Sequence, residues 1–330
     1  MRIFVPGRLC LVGEHSDWAG TYRAVNPDIQ TGMALIVGTN QGIYANVRRH
    51  PQALIFRATL YNGSQANDGG DPRVAAIRLP MAPAVLLAEA RKGGFASYIA
   101  GTAYQVLRHH PVGGLEVDND LTDLPIQKGL SSSAAVCVLI ARAFNQLYDL
   151  QLTVQEEMEL AYQGERTTPS QCGRMDQACA FGNQPILMTF DCDRTNLKVL
   201  TVKRTLYLVI VDLGGHKDTQ KILSDLNQCY PFPKNQIQQK VQHYLGPLNT
   251  QFIQQAVTVV QQGDAKKLGT LMTQAQAAFD RHLTPACPDQ LAAPRLHRLL
   301  THPSLQPFIF GGKGVGSQGD GTAQLVAKDR

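Results

Sequence analysis

The chain has 330 residues, 44% of them hydrophobic and 17% charged, and its formal net charge is +5. This length predicts about two domains, and the composition is that of an ordinary globular protein. The weak positive charge comes without runs of Lys or Arg, which argues against a nucleic-acid-binding surface.

The cysteine pattern and the hydropathy indicate the cellular compartment of the protein. The seven cysteines are scattered and form no C-x-x-C pair, which argues against a disulfide framework or a zinc site. The N-terminal sequence lacks the apolar segment of a signal peptide, and no apolar run approaches the ~20 residues of a transmembrane helix. We therefore expect a cytoplasmic protein without a membrane partner.

Apolar periodicity predicts mixed strands and helices in the first half of the chain. Two short strands, 2–5 and 9–12, are expected to meet at a turn formed by Pro6 and Gly7. Residues 62–71 are rich in Gly, Asn, Asp and Ser and predict a surface loop. The other predicted strands are 34–38, 42–48, 53–60 and 114–119, and the predicted helices are 95–109, 132–148 and 153–162, the last with Thr153 as its N-cap.

The second half of the chain becomes helical and rich in glutamine. A division near residue 203 is predicted, which gives an N-terminal domain of residues 1–203 and a C-terminal domain of residues 204–330. The predicted strands around and beyond it are 186–190, 206–211, 308–310 and 323–327, and the predicted helices are 249–262, 264–283 and 290–300.

Residues 125–135, with the sequence PIQKGLSSSAA, place a turn and three serines directly before an apolar helix. Free backbone N–H groups and the positive end of the helix dipole favour an anion there, above all phosphate. The serine hydroxyls could cap the helix, bind phosphate oxygens or reach Mg²⁺. A capped, buried helix explains the same pattern, so other segments have to decide between the two interpretations.

Three other segments carry polar or glycine-rich patterns. Four polar residues, 14–17, follow a predicted strand and form either a polar turn or a set of groups that bind the hydroxyls of a polyol. Asp176 and Glu165 could supply the base and the metal ligand that phosphoryl transfer requires. Residues 311–321 contain six glycines, which suit a flexible hairpin or a backbone that closely approaches a ligand, and they match neither a Walker A nor a Rossmann motif.

In order and spacing, residues 7–20, 125–135, 172–177 and 311–321 resemble the successive motifs of the GHMP kinase superfamily. The first and third segments are most similar to the galactokinase signatures G-R-x-N-L-I-G-E-H-x-D and C-G-x-M-D-Q. The resemblance implies an α+β fold with a ribosomal S5 domain 2-like N-terminal domain and a ferredoxin-like α/β C-terminal domain. The active site would lie in the cleft between them.

The same resemblance implies an ATP- and Mg²⁺-dependent kinase, a monomer or homodimer, that phosphorylates a sugar or polyol. Galactokinase-type chemistry predicts the anomeric hydroxyl and a sugar 1-phosphate. By the resemblance, Asp176 is the catalytic base and Arg8 the cation that keeps it ionised, as a guanidinium beside a carboxylate does. The implied sugar contacts are Glu14, His15, Asp17, Gly173 and Arg174; the implied ATP contacts are Lys128, Gly129, Leu130, Ser131, Ser132, Ser133, Ala134, Tyr98, Gly316 and Ser317; the implied Mg²⁺ ligands are Ser132 and Glu165.

The chain departs from the galactokinase pattern around the expected acceptor. Cys10 replaces an Asn, Trp18 replaces a Tyr, and Lys313 and Asp320 fall in the glycine-rich segment. Arg174 occupies a position that is usually apolar, so it could contact an anionic acceptor or simply form a salt bridge. A uronic acid, another hexose or pentose, a sugar phosphate and mevalonate therefore stay open as acceptors, and a non-catalytic sensor of sugar and ATP is the alternative to an enzyme.

Overall fold

The computed structural model describes residues 1–59, 74–124, 129–170 and 172–330. A seven-stranded mixed sheet dominates the first 200 residues. Its strands are β1 (Arg2–Val12), β2 (Gly32–His50), β3 (Ala53–Thr59), β4 (Val74–Pro80), β5 (Gly114–Thr122), β6 (Ile186–Asp191) and β7 (Arg194–Val199). Their order is β4-β3-β5-β2-β6-β7, and β1 pairs antiparallel with β2.

The predicted turn at Pro6 and Gly7 is wrong, because β1 runs through both residues. The register with β2 shifts there, so that Pro6 pairs with Gly42 and Arg8 with Gly38. The Gly7 N–H donates to Thr39 Oγ1 (3.0 Å), which replaces the lost ladder bond. The predicted strands 34–38 and 42–48 are accordingly parts of the single strand β2.

Five helices accompany the large sheet. They are α1 (Ser16–Ala19), α2 (Pro83–Ala90), α3 (Phe95–His109), α4 (Ser132–Tyr148) and α5 (Val154–Arg166). α4 packs against β1 and β2 on one side and against α3 and α5 on the other. Its residues 134–141 are all buried, as their uniformly apolar sequence predicts. Thr153 forms a capping box with Glu156 at the start of α5, which confirms the predicted N-cap.

A second, antiparallel sheet has the order β8-β10-β9, from β8 (Leu208–Asp212), β9 (Ile309–Gly314) and β10 (Thr322–Ala327). The helices of this region are α6 (Thr219–Asn227), α7 (Gln236–His243), α8 (Asn249–Gln262), α9 (Ala265–His282), α10 (Pro288–Leu291) and α11 (Pro294–Leu300). The predicted helix 290–300 is divided because Ala293 has a left-handed backbone and Pro294 starts a new helix. Part of the predicted glycine-rich loop is also strand, since β9 extends to Gly314.

The fold is therefore α+β, as the resemblance implies. One hydrophobic core connects the two sheets, because Val315 and Val326 pack in the same cluster as the buried residues of β1 and α4. The boundary near residue 203 falls between β7 and β8 and stays a prediction. The predicted loop 62–71 lies outside the described residues. In the described part of the chain, no helix has both the length and the apolar character that a bilayer crossing requires.

Candidate active site

A cavity of about 390 Å³ lies where the two sheets meet. β1 and the turn after it form one wall, the N-terminal ends of α3 and α4 and the C-terminal end of α5 form the next, and α6 and the glycine-rich loop close the third. The structure brings eleven of the predicted site residues to this cavity: Arg8, Glu14, His15, Asp17, Tyr98, Ser133, Glu165, Gly173, Asp176, Gly316 and Ser317.

Arg8 and Asp176 form an ion pair at the centre of the cavity wall. The guanidinium of Arg8, only 5% exposed, donates from Nη2 to Asp176 Oδ1. Burial alone would lower the pKa of Arg8, but the charge of Asp176, the hydrogen bond to it and smaller contributions from neighbouring groups together outweigh burial, so the pKa of Arg8 is raised. Arg8 Nε and Nη1 have no hydrogen-bond partner among the described residues. Arg8 therefore has donors left for an anionic group such as a phosphoryl oxygen.

Asp17 lies beside this pair and depends on the absence of a side chain at Gly173. A Cβ at Gly173 would overlap Asp17 Oδ2, and the Met175 N–H donates to the same oxygen (3.4 Å). Burial, and after it the negative charge of Asp176, raises the pKa of Asp17 to about 6. The cavity therefore holds a desolvated carboxylate that is suited to accept a hydrogen bond from a hydroxyl group.

His15 contributes a neutral imidazole to the same wall. It adopts a left-handed backbone conformation with φ 69°, and its Nδ1 accepts a hydrogen bond from Trp18 Nε1 (3.2 Å). Burial lowers the pKa of His15 to about 4, with further lowering by Lys217 and Lys313. At neutral pH the ring is uncharged and carries its proton on Nε2, so it offers a donor next to the carboxylates.

Glu14 is paired with a lysine that the sequence analysis left without a role. Lys313 on β9 donates to Glu14 Oε1, and the two residues are only 1% and 5% exposed. Glu14 also lines the cavity. The predicted sugar contact at Glu14 therefore coincides with an ion pair between the two regions of the fold.

The predicted Mg²⁺ side of the cavity contains Ser133 rather than Ser132 next to Glu165. Ser133 Oγ donates to Glu165 Oε1 (2.8 Å) and Gln177 Nε2 to Glu165 Oε2 (2.7 Å). Successive helix residues point about 100° apart, so only one serine of the first turn of α4 can face Glu165. Burial, and after it the charge of Asp176, raises the pKa of Glu165 to about 7.

This donor set fits a divalent cation. The carboxylates of Glu165 and Asp176 line the same cavity, and Mg²⁺ commonly takes one or two carboxylates together with substrate phosphates. The described residues contain no cluster of three or more His, Cys, Asp or Glu side chains that could hold a metal alone.

Gly129, in the segment 125–135 that is predicted to bind phosphate, lies against the glycine-rich loop. Gly129 and Gly316 both have positive φ, and a Cβ at Gly316 would lie 3.3 Å from Gly129 Cα. The Leu130 carbonyl oxygen accepts the Arg8 N–H (3.0 Å), which fixes the loop to β1. Leu130 and Ala134 are core residues, so only their backbone can face a ligand. Lys128, also predicted to bind ATP, lies outside the described residues.

The remaining serines stand apart from the cavity wall. Ser131 precedes α4 with φ 60° and makes no capping bond, and its buried Oγ has no partner within the described residues. Neither Ser131 nor Ser132 lines the cavity. Ser132 as a metal ligand therefore stays a prediction that the geometry does not support.

Arg174 is not among the residues that line the cavity, so the geometry does not support its role as a substrate contact, which stays a prediction. Its guanidinium pairs with Glu159 (2.5 Å) and lies over the ring of Tyr162, 4.4 Å from the centroid. Both partners are on α5, so the side chain is held away from the acceptor by an ion pair and a cation–π contact.

Asp320 is not among the residues that line the cavity either. Its Oδ1 accepts the N–H groups of Arg295 (2.9 Å) and Leu296 (3.0 Å) at the start of α11. A carboxylate in the glycine-rich segment therefore caps a helix, where negative charge is favourable.

α6 also contributes to the cavity, although this helix was not among the predicted elements. Thr219, Gln220 and Leu223 line the cavity, and Thr219 Oγ1 hydrogen-bonds with Ser317 Oγ (3.1 Å). Asp218 as N-cap, followed by apolar residues at helical spacing, is a signal that could have identified this helix.

Comparisons with known proteins agree with this geometry. The model of the family "GHMP kinases N terminal domain" matches residues 97–183. A galactokinase from Clostridium tetani is 25% identical over 215 residues, which cover 63% of this chain and 47% of that protein. A galactokinase from Pyrococcus furiosus is 23% identical over 305 residues, 86% of this chain and 78% of that protein. The chain spans about half the length of the bacterial galactokinases it matches.

Solved structures share the fold over the whole chain. Lactococcus lactis galactokinase complexed with galactose superimposes with a TM-score of 0.71 at 18% identity, covering 99% of this chain and 85% of that one. Methanococcus jannaschii mevalonate kinase gives a TM-score of 0.70 at 16% identity, covering 100% and 90%. Residues 97–183 therefore match the N-terminal domain of GHMP kinases, and the chain is galactokinase-like in sequence.

Proposed function

We propose that the protein is an ATP-dependent kinase that transfers a phosphoryl group to a hydroxyl of a neutral sugar. The observation that carries the proposal is the Arg8–Asp176 ion pair. The same cavity is lined by the hydroxyl-binding candidates Glu14 and Asp17 and by the Ser133–Glu165 pair, and the charge of Asp176 raises the pKa values of both Asp17 and Glu165. A base close to both an acceptor subsite and a phosphate subsite would meet the requirements of phosphoryl transfer, which supports the proposal.

The charge of the cavity favours a neutral acceptor. Among the described residues that line it, four are carboxylates and one is a guanidinium: Glu14, Asp17, Glu165, Asp176 and Arg8. A uronate, a sugar phosphate or mevalonate would add negative charge next to these carboxylates. Arg174, the cation that would have favoured an anionic acceptor, is bound to Glu159. The galactokinase likeness adds the anomeric hydroxyl as the proposed acceptor and a sugar 1-phosphate as the product.

Asp176 is the proposed general base. The acceptor hydroxyl gives its proton to an Asp176 carboxylate oxygen while the hydroxyl oxygen bonds to the γ-phosphorus and the bond to the β-phosphate oxygen breaks, which releases ADP. Arg8 forms an ion pair with Asp176, and its unpartnered Nε and Nη1 are available to the transferring phosphoryl oxygens. His15 and Asp17 orient the acceptor through a donor and an acceptor of hydrogen bonds.

Glu165, oriented by Ser133, is the proposed holder of Mg²⁺. When bound, Mg²⁺ would supply positive charge that neutralises phosphate oxygens. The N-terminal end of α4 would bind the rest of the triphosphate together with the backbone of Gly129 and Gly316. Glycines at these two positions let the main chain approach the phosphates closely.

The test is a screen of ADP release with Mg-ATP over neutral hexoses and pentoses, uronates, sugar phosphates and mevalonate, followed by ³¹P and ¹H NMR of the product. We expect turnover with a neutral sugar and phosphate on the anomeric oxygen. Turnover confined to anionic acceptors would contradict the proposed substrate class. Saturable sugar binding without ADP release would instead identify a non-catalytic sugar sensor.

A further inference from the structure

Lys313 carries a charge that is almost completely removed from water. It lies on β9, it is 1% exposed, and its ammonium donates to Glu14 and to the Gly314 carbonyl oxygen (3.0 Å). The free energy of removing both charges from water offsets much of their Coulombic attraction, so a buried ion pair is weak evidence for a stabilising role. A different role has to explain why a lysine occupies the interior beneath a ligand cavity.

The surroundings hold the ammonium group in place. The Gly314 carbonyl oxygen also accepts hydrogen bonds from Gln318 Nε2 (3.3 Å) and Gln324 Nε2 (3.3 Å). Gln324 Nε2 donates in addition to the Cys10 carbonyl oxygen on β1 (2.7 Å). The polar groups beneath the glycine-rich loop thus connect the small sheet directly to the strand that leads to Glu14.

We propose that Lys313 is a positioning residue that fixes the Glu14 carboxylate for the sugar acceptor. Its ammonium occupies Glu14 Oε1 and leaves Oε2 for an acceptor hydroxyl in the cavity that Glu14 lines. Through Lys313, the small sheet then contributes to the affinity of the cavity for the acceptor. The proposal rests on the proposed function, because it requires that a hydroxyl of the acceptor meets Glu14.

The first test is Lys313→Met, with steady-state kinetics for both substrates. We expect the acceptor KM to rise about ten- to hundredfold, the worth of one hydrogen bond to a charged group, while kcat and the ATP KM stay close to wild type. Lys267→Met is the matched control, because it removes an exposed ion pair, with Asp264 at 3.0 Å. If the acceptor KM and the ATP KM rise equally and the melting temperature falls, Lys313 has only a structural role and the proposal is overturned.

Lys313→Met leaves Glu14 buried without its partner and could prevent folding. A second comparison, of Glu14→Gln with Glu14→Gln/Lys313→Met, avoids an unpaired buried carboxylate: the amide oxygen introduced by Glu14→Gln can still accept the hydrogen bond of Lys313, and the double variant carries no charge at either position. If Lys313 acts through Glu14, the acceptor KM of the double variant equals that of Glu14→Gln alone. Losses that multiply would show that Lys313 acts independently of Glu14, contrary to the proposal.

Wild-type behaviour separates this proposal from the proposed function. A wild-type protein that neither phosphorylates a neutral sugar nor binds one by isothermal titration calorimetry overturns both. A wild-type protein that phosphorylates a neutral sugar, with Lys313→Met retaining the same acceptor KM, overturns the positioning role alone.

Discussion

Arg8 and Asp176 are 168 residues apart in sequence and form an ion pair in the cavity wall. Arg8 reaches the pair from the middle of β1, and Asp176 reaches it from a short helical turn that packs against α4 and α5. The guanidinium is buried and the side chain of the carboxylate is 30% exposed. Of the two, Asp176 is therefore the group that an incoming hydroxyl can meet.

Replacement of Asp176 by Asn should remove the base and leave the nucleotide subsite intact. We expect kcat to fall by about 10²- to 10⁴-fold, the usual worth of a general base, with ATP affinity unchanged in a calorimetric titration. Asp191→Asn is the control, since Asp191 forms a half-exposed ion pair with Arg23. A kcat close to wild type in Asp176→Asn would refute the assignment of the base.

Asp17 makes the stability of the protein depend on pH. Burial, and after it the charge of Asp176, raises the pKa of Asp17 from its ordinary value of 3.8 to about 6. The folded state therefore binds this proton more tightly than the unfolded chain does. The resulting stabilisation is complete below pH 3.8 and is lost as the pH rises through 6.

The variant Asp17→Asn should not lose stability in this way as the pH rises, because it has no carboxyl group at this position to ionise. Relative to wild type, the free energy of unfolding of the variant should increase by about 3 kcal/mol between pH 4 and pH 8, the value of a shift of about two pKa units. Urea denaturation at several pH values measures it, with the exposed Asp193→Asn as control. A stability difference that stays constant over this pH range would show that the Asp17 carboxyl is not destabilised when ionised. The same variant should bind the acceptor more weakly.

Strongly periodic segments could be predicted from the sequence in full. α3, α4 and α8 begin and end at the predicted residues, because their apolar periodicity is strong and turn residues or breaks flank them. The turn at Pro6 and Gly7 was wrong for the opposite reason. Local breakers were overridden by pairing of β1 with β2, an interaction that no local pattern contains.

The site residues that belong to sequence motifs could be predicted, whereas the contacts that depend on tertiary packing could not. Arg8 and Asp176 were named from motifs. Lys313 meets Glu14 across 299 residues, and this contact depends on the register of two sheets rather than on either sequence segment. The orientation of Ser133 towards Glu165 likewise depends on the rotation of α4, which a run of three serines does not specify.

The serines of α4 can be distinguished experimentally. Ser133 Oγ donates to Glu165, so Ser133→Ala should raise the Mg²⁺ concentration for half-maximal activity by about ten- to hundredfold. Ser132→Ala is the matched control and should stay close to wild type. If Ser132→Ala has the larger effect, Ser132 is the metal ligand, as the superfamily resemblance implied.

Arg174 is the residue for which the predicted role and the observed contacts differ most. Its ion pair with Glu159 and its contact with Tyr162 keep it outside the cavity. Arg174→Ala should therefore leave the acceptor KM within about twofold of wild type and lower the free energy of unfolding by only about 0–1 kcal/mol, as for other partly exposed ion pairs.

The control for Arg174→Ala is Glu159→Gln, which removes the other half of the same pair. Because the two residues act on each other, the double variant should be no less stable than the less stable single variant. Kinetics with a neutral sugar and with its uronate complete the measurement. A selective loss of uronate turnover in Arg174→Ala, with neutral-sugar turnover unchanged, would place an acid group of the acceptor beside Arg174 and would contradict the neutral-acceptor proposal.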